Sequence, residues 1–212
     1  MVIKSRKELE IILSRVPSFP TPKRELEQYV CDSRIASELL WSAFMAGDIE
    51  GKVVADLGCG TGVLSYGALA LGASQALCID IDCEAIYIAK NFIDLETRLI
   101  EGNAHFVCAD VRKLGVRKAD TVVMNPPFGV YSPGIDMEFL ISALNLKPYA
   151  IYSIHKHSDQ LLHVIQRILK QYGDEYIIAS ITINNMAIPQ IFETHRRRIH
   201  RFKVAIVKIK QS

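Results

Sequence analysis

The chain of 212 residues is 50% hydrophobic and 23% charged, with a formal net charge of +2. That length suits one domain with a sizeable core, and the apolar fraction excludes a largely disordered chain. No run approaches the ~18 uncharged apolar residues of a membrane span, and so small a net charge is by itself no nucleic-acid signature.

The opening stretch MVIKSRKELEIILSR mixes acids and bases and has no small-residue cleavage site, so no secretory signal is expected. Leu9, Ile12, Leu13 and Val16 fall at helical spacing and predict an amphipathic helix over Lys4–Arg15. Pro17, Pro20 and Pro22 break it, and a second helix is predicted from Ser33 to Ala46, closed by Gly47. From Lys52 the rhythm changes. Strands are predicted at Lys52–Leu57, Gln75–Asp80, Ala104–Ala109, Thr121–Met124, Tyr149–Ile154, Tyr176–Ile183 and Phe202–Ile209. Between them lie predicted helices at Gly62–Leu71, Asp82 to about Leu95, Ile135–Asn145 and Ser158–Tyr172. Residues 1–50 thus read as an N-terminal helical segment and 51–212 as one compact unit.

Apolar, β-branched strands alternating with helices mean a largely parallel sheet covered on both faces. The last two strands lack a good helix between them, which predicts a closing antiparallel hairpin. Seven strands with the last one reversed is the Rossmann-like class I methyltransferase pattern of the α/β class. Five cysteines, Cys31, Cys59, Cys78, Cys83 and Cys108, form no C-x-x-C pair, so neither a zinc site nor a thioredoxin-type motif is suggested. They read as small buried residues in a reducing cytoplasm.

The first strand runs into Asp56-Leu57-Gly58-Cys59-Gly60-Thr61-Gly62. Alternate glycines between a strand and a helix allow a tight turn and close backbone approach to a ligand. The spacing misses G-x-G-x-x-G/A from either start, since Val63 or Ser65 would fill the last position. Asp80 ends the second strand about 20 residues on, where a carboxylate can accept from ribose hydroxyls. Asp82 could share that role or cap the following helix, and Asp110 follows the third strand. Each piece alone is weak; three in order at the C-terminal edge of successive strands point to a ligand site.

The fourth strand ends Asn125-Pro126-Pro127-Phe128-Gly129. As structure alone, X-Pro-Pro is a rigid turn. As chemistry, the Asn125 side-chain oxygen and the Pro126 carbonyl can each accept one N–H from an exocyclic amine, turning its lone pair toward a methyl donor. Pro126 and Pro127 remove competing donors and fix the carbonyl direction, which is preorganisation rather than acid–base catalysis. Phe128 supplies a face for a flipped base.

The D-x-G-x-G-x-G loop resembles the cofactor loop of S-adenosylmethionine-dependent methyltransferases, and the tetrapeptide resembles that of enzymes methylating planar conjugated amines: adenine N6, guanine N2 of rRNA, or the glutamine amide of release factors. Leu26-Glu27-Gln28-Tyr29, Val53–Gly60, Gly62–Ser65, Asn125–Gly129, Gly134–Leu140 and Tyr152–Lys156 together resemble the methyltransferase-like protein five family of small-subunit rRNA adenine-N6 methyltransferases. The resemblance covers about residues 3–158 and implies S-adenosylmethionine as methyl donor, with S-adenosylhomocysteine as product. It places cofactor contacts at Gln28, Cys31, Asp56, Gly58, Gly60, Thr61, Gly62, Val63, Asp80, Ile81, Asp110, Val111 and Asn125, with residues 1–50 covering the site. In it Asp56 and Gln28 approach the methionine end and Asp110 accepts from the adenine amine. Cys31 stands where relatives carry Thr, and a thiol is the weaker hydrogen-bonding group. Tyr29 reads equally as a packing residue.

Thr194–Lys203 holds Arg196, Arg197, Arg198, Arg201 and Lys203 within ten residues and is expected to form a loop over the catalytic edge. A charge run is usually a solvated face; here phosphate contact is favoured, with Lys156 joining it and His155 and His157 as further candidates. The implied substrate is structured RNA, small-subunit rRNA in particular. A non-catalytic RNA-binding scaffold is the reading from another class. Eukaryotic relatives pair with a small zinc-binding activator on an edge strand, which implies such a partner at His105–Cys108. No membrane role and a cytoplasmic location are expected.

Overall fold

The computed structural model describes residues 3–29, 31–96, 100–115, 118–189 and 199–212. Its centre is a seven-stranded sheet of β1 (Val53–Leu57), β2 (Gln75–Asp80), β3 (Asn103–Cys108), β4 (Thr121–Met124), β5 (Ala150–Lys156), β6 (Tyr176–Pro189) and β7 (Ile199–Gln211). The order is β3-β2-β1-β4-β5-β7-β6, with β7 antiparallel to both neighbours and the other pairs parallel. This is the seven-stranded methyltransferase topology that the sequence predicts.

Side chains along β1 show why both faces are covered. Val54 enters one core cluster, while Ala55 and Leu57 enter the other, because successive strand residues point to opposite faces. One face carries α1 (Arg6–Leu13), α2 (Ser33–Met45), α3 (Val63–Ala70) and α4 (Cys83–Leu95); the other carries α5 (Ile135–Asn145) and α6 (Leu161–Leu169). Ser5, Asp32 and Asp82 cap α1, α2 and α4 by accepting first-turn N–H groups, as their residue types favour. Leu9 and Leu13 of α1 and Leu39 and Leu40 of α2 share one core cluster with Val54 and Val123 of the sheet. Among the described residues no helix is long and apolar enough to cross a membrane.

Four expectations change. β5 runs on to Lys156, so His155 lies inside the strand, fully buried, with Nδ1 3.1 Å from Asp136 Oδ2 and Nε2 2.9 Å from Ser153 Oγ. It cannot reach RNA. α6 stops at Leu169 and a 3-10 turn takes over at Lys170–Tyr172. β6 and β7 extend well beyond the predicted strands, pairing out to Pro189↔Ile199. Arg201 and Lys203 are therefore strand residues, because cross-strand backbone pairing carries polar positions that sequence pattern assigns to a loop. Finally, Cys83 and Cys108 form a disulfide rather than two buried thiols. Parallel pairing sets Cys108 opposite Asp80, three residues before Cys83, and brings the two Cα atoms to 5.1 Å. Cys31, Cys59 and Cys78 are buried and free.

Candidate active site

The C-terminal edges of β1 and β2 build the glycine loop. Gly58, Gly60 and Gly62 have φ of +71°, +53° and +92°, where a side chain is strained. A Cβ on Gly58 would lie 2.8 Å from the Phe139 ring, and one on Gly60 2.8 Å from Phe19. The loop is tied to β2: Gly58 and Cys59 N–H donate to the Ile79 carbonyl at 2.8 and 3.0 Å, and Gly60 N–H to Asp80 Oδ2 at 2.8 Å. Asp80 Oδ1 accepts from Asp82 N–H at 2.9 Å. Asp80 thus braces the loop as well as facing the cavity, and burial raises its carboxyl above the ordinary value.

Asp56 lies beneath the loop, 1% exposed. Its Oδ2 accepts from Ser65 N–H at 2.9 Å and Ser65 Oγ–H at 2.7 Å, while Oδ1 is buried without a partner among the described residues. Burial pushes this carboxyl up to about 7 against the pull of the Ser65 bonds. An orphan oxygen on a buried carboxylate calls for an explanation, and a cationic ligand group supplies one.

These residues open onto a cavity of about 270 Å³. Gln28, Cys31, Asp56, Gly58, Gly60, Thr61, Val63, Asp80, Ile81, Asp110, Val111 and Asn125 all line it; Gly62 sits behind it, where it starts α3. The N-terminal segment closes one side through Phe19 and Glu25–Tyr29. Gln28 also braces this segment: its Oε1 accepts from Lys23 N–H and its Nε2 donates to Asp82 Oδ2, both at 2.7 Å. Lys23 Nζ also donates to Asp82 Oδ1 at 2.7 Å, so Asp82 is a cap and an anchor for residues 23–28. Asp110 is engaged by Arg112, whose Nε and Nη2 lie 2.9 and 2.7 Å from its two oxygens and hold the carboxyl below the ordinary range. Arg112 Nη1 continues to Glu138 at 3.2 Å, so an ion-paired chain flanks the predicted adenine end. Burial pushes the Cys31 thiol up, which leaves it a weak neutral group.

Beyond β4 the chain enters the tetrapeptide. Among the described residues, Asn125 Oδ1 is buried without a hydrogen-bond partner, as is the Tyr29 hydroxyl. Phe128 packs against Tyr29 at 5.4 Å between ring centroids and edge-on to Phe202 at 5.5 Å. Glu27 accepts from Phe128 N–H and Tyr131 N–H, each at 2.8 Å. The site therefore joins a glycine cradle, an orphan carboxylate oxygen, and an orphan amide oxygen beside an aromatic group. Those features fit a cationic nucleoside-type donor on one side and an amine acceptor on the other.

Comparison with known proteins agrees. The profile of the methyltransferase small domain family matches residues 31–145. The rRNA N(6)-adenosine-methyltransferase METTL5 of Danio rerio is 44% identical over 72% of this chain and 74% of its own length. The Drosophila melanogaster enzyme of that name is 36% identical over 92% and 91%. A crystal structure from Pyrococcus horikoshii, provisionally described as an RNA methyltransferase, superposes with a TM-score of 0.86 at 37% identity over 99% of both chains. The chain belongs to the METTL5 family of methyltransferases.

Seen as a METTL5 relative, the chain gains functional candidates that sequence reasoning passed over. Glu27 sits in the motif that carried the resemblance, but its role depends on contact with a loop about 100 residues away. Phe202 was hidden in the basic run, and Phe19 among the prolines. Of the basic residues, Lys156 and Arg201 are exposed on β5 and β7. Register sets Lys156 opposite Val204, two residues from Phe202. Arg196, Arg197 and Arg198 lie outside the described residues. Among the described residues no group of His, Cys, Asp or Glu is placed to hold a metal ion.

Proposed function

We propose that this protein transfers a methyl group from S-adenosylmethionine to N6 of an adenosine in structured RNA, small-subunit rRNA in particular. The observation that carries this reading is the buried Oδ1 of Asn125, without a hydrogen-bond partner among the described residues, on a side chain that lines the glycine-walled cavity. When bound, S-adenosylmethionine supplies an electrophilic methyl on a sulfonium sulfur.

The protein's own residues do the rest by positioning. Asp56 Oδ1 would accept from the donor's ammonium, the Gly58–Gly62 backbone would allow close approach, and Asp80 would offer its remaining lone pairs to the ribose. Asn125 Oδ1 accepts one N–H of the adenine amine and the Pro126 carbonyl the other, so the nitrogen lone pair faces the methyl carbon. Asn125 is neutral and takes no proton; the N–C bond would form as the donor's S–C bond breaks, with S-adenosylhomocysteine as leaving group, and the methylated amine would then release its surplus proton to water. Phe128 stacks on the flipped base, with Tyr29 and Phe202 fixing the ring. Lys156, Arg201 and the arginines at 196–198 contact phosphates. A zinc-binding partner adding to the exposed edge of β3 at His105–Cys108, and a cytoplasmic location, complete the proposal.

The test is direct. In vitro transcribed small-subunit rRNA incubated with protein and S-adenosylmethionine should gain N6-methyladenosine on nucleoside mass spectrometry, and Asn125→Ala should not produce it. Methyl transfer only to guanine N2, or only to a glutamine-containing peptide, would overturn the RNA-adenine reading.

A further inference from the structure

We propose that Glu27 is a positioning residue for methyl transfer: its carboxylate latches the catalytic tetrapeptide to a segment that also grips the cofactor cradle. The inference rests on the activity proposed above and deepens it. Glu27 is 9% exposed, yet among the described residues it makes no ion pair. Its two oxygens instead accept one backbone N–H each, Oε2 from Phe128 and Oε1 from Tyr131, both at 2.8 Å. Its backbone is left-handed, with φ of +50°, a conformation a non-glycine residue adopts only when its surroundings impose it. A buried carboxylate on a strained residue, spent wholly on another segment's amides, is an expensive way to hold a loop unless the loop's direction matters.

The neighbours show what is being coupled. Gln28 donates to Asp82, which caps α4 beside the loop acid Asp80. Tyr29 packs on Phe128, and burial pushes its phenol up, opposed by the adjacent Asn125 amide. Three consecutive residues thus touch the catalytic backbone, the cofactor cradle, and the catalytic side chains. Phe128 N–H is the first free amide after two prolines, so the Glu27 bond fixes the plane that follows the Pro126 carbonyl. A tilt there moves the amine relative to the methyl donor without disturbing cofactor contacts, and sub-ångström misplacement of reacting groups costs rate steeply.

Glu27→Gln keeps size but offers one acceptor where two are needed, and its amide nitrogen faces the other N–H as donor to donor. On in vitro transcribed small-subunit rRNA, kcat should fall about 10–100-fold. The KM for S-adenosylmethionine should stay within about threefold of wild type, and the melting temperature should fall by only a few degrees. Amide hydrogen exchange at Phe128 and Tyr131 should accelerate in the free variant. A kcat within twofold of wild type, or parallel losses of kcat, cofactor affinity and melting temperature, would overturn the positioning role. If wild type leaves adenine unmethylated, the reading of the activity fails. The exchange measurement then decides the latch: faster exchange confined to those two amides supports it, and unchanged protection overturns it.

Discussion

Cofactor affinity should depend on pH through Asp56. Burial raises its carboxyl from 3.8 to about 7, Asp80 adds to the rise, and the two Ser65 bonds oppose it. The ammonium of a bound donor requires the ionised form at the partnerless Oδ1. With a free-protein pKa of about 7, about half the molecules are ionised at pH 7 and about one in a hundred at pH 5. Affinity for S-adenosylmethionine should therefore fall about fiftyfold between those values, about 2.3 kcal/mol at ~1.36 kcal/mol per tenfold change. The sign for folding is the reverse. A carboxyl whose folded pKa is raised favours the folded state below its unfolded pKa of 3.8, and that contribution is lost as pH rises through about 7. The free protein should thus lose stability between about pH 4 and pH 7, level off above, and regain stability on binding the donor. Calorimetry at pH 5, 6 and 7, in buffers of differing ionisation enthalpy, reads both affinity and proton release. Asp56→Asn should bind weakly at every pH, release no proton, and separate this carboxyl from Asp80, which burial also raises. A wild-type affinity flat from pH 5 to 7, or the same slope in Asp56→Asn, would refute the reasoning.

Asn125→Ala should abolish methylation while S-adenosylmethionine affinity by calorimetry stays within about threefold, because Asn125 aligns the acceptor; substantial turnover would contradict that role. Replacing Arg196, Arg197, Arg198 and Arg201 with Ala should weaken RNA binding and flatten its salt dependence by up to about 0.7–0.9 log units per lost contact. Identical salt-titration slopes would make those arginines solvated or structural. Because Cys83 and Cys108 lie 25 residues apart in sequence, Cys83→Ser should destabilise by about 3.5 kcal/mol on loop-closure entropy, read by denaturant titration. The unreduced, unfolded protein should titrate three thiols, corresponding to Cys31, Cys59 and Cys78. Five would refute the disulfide.

The sequence by itself determined the fold class, most strand positions, the glycine loop and the tetrapeptide. Those are local facts: period-2 and helical apolar spacing, prolines that remove donors, and glycines where the backbone turns left-handed. Asn125, Asp56 and Asp80 were legible because they sit in one short motif each, at the C-terminal end of a strand or directly after it. Their relation to one another was not local. Among the described residues, tertiary structure left Asp56 Oδ1 and Asn125 Oδ1 without partners, engaged Asp110 with Arg112, and gave Gln28 bonds to Lys23 and Asp82 at the cavity wall. It buried His155 by continuing β5, drew Arg201 into β7, and joined Cys83 to Cys108 through strand register. It also brought Glu27 to a loop about 100 residues distant. Side-chain roles that depend on register and long-range hydrogen bonds carry no periodic signal. The chain must fold before a carboxylate at Glu27 has anything to hold.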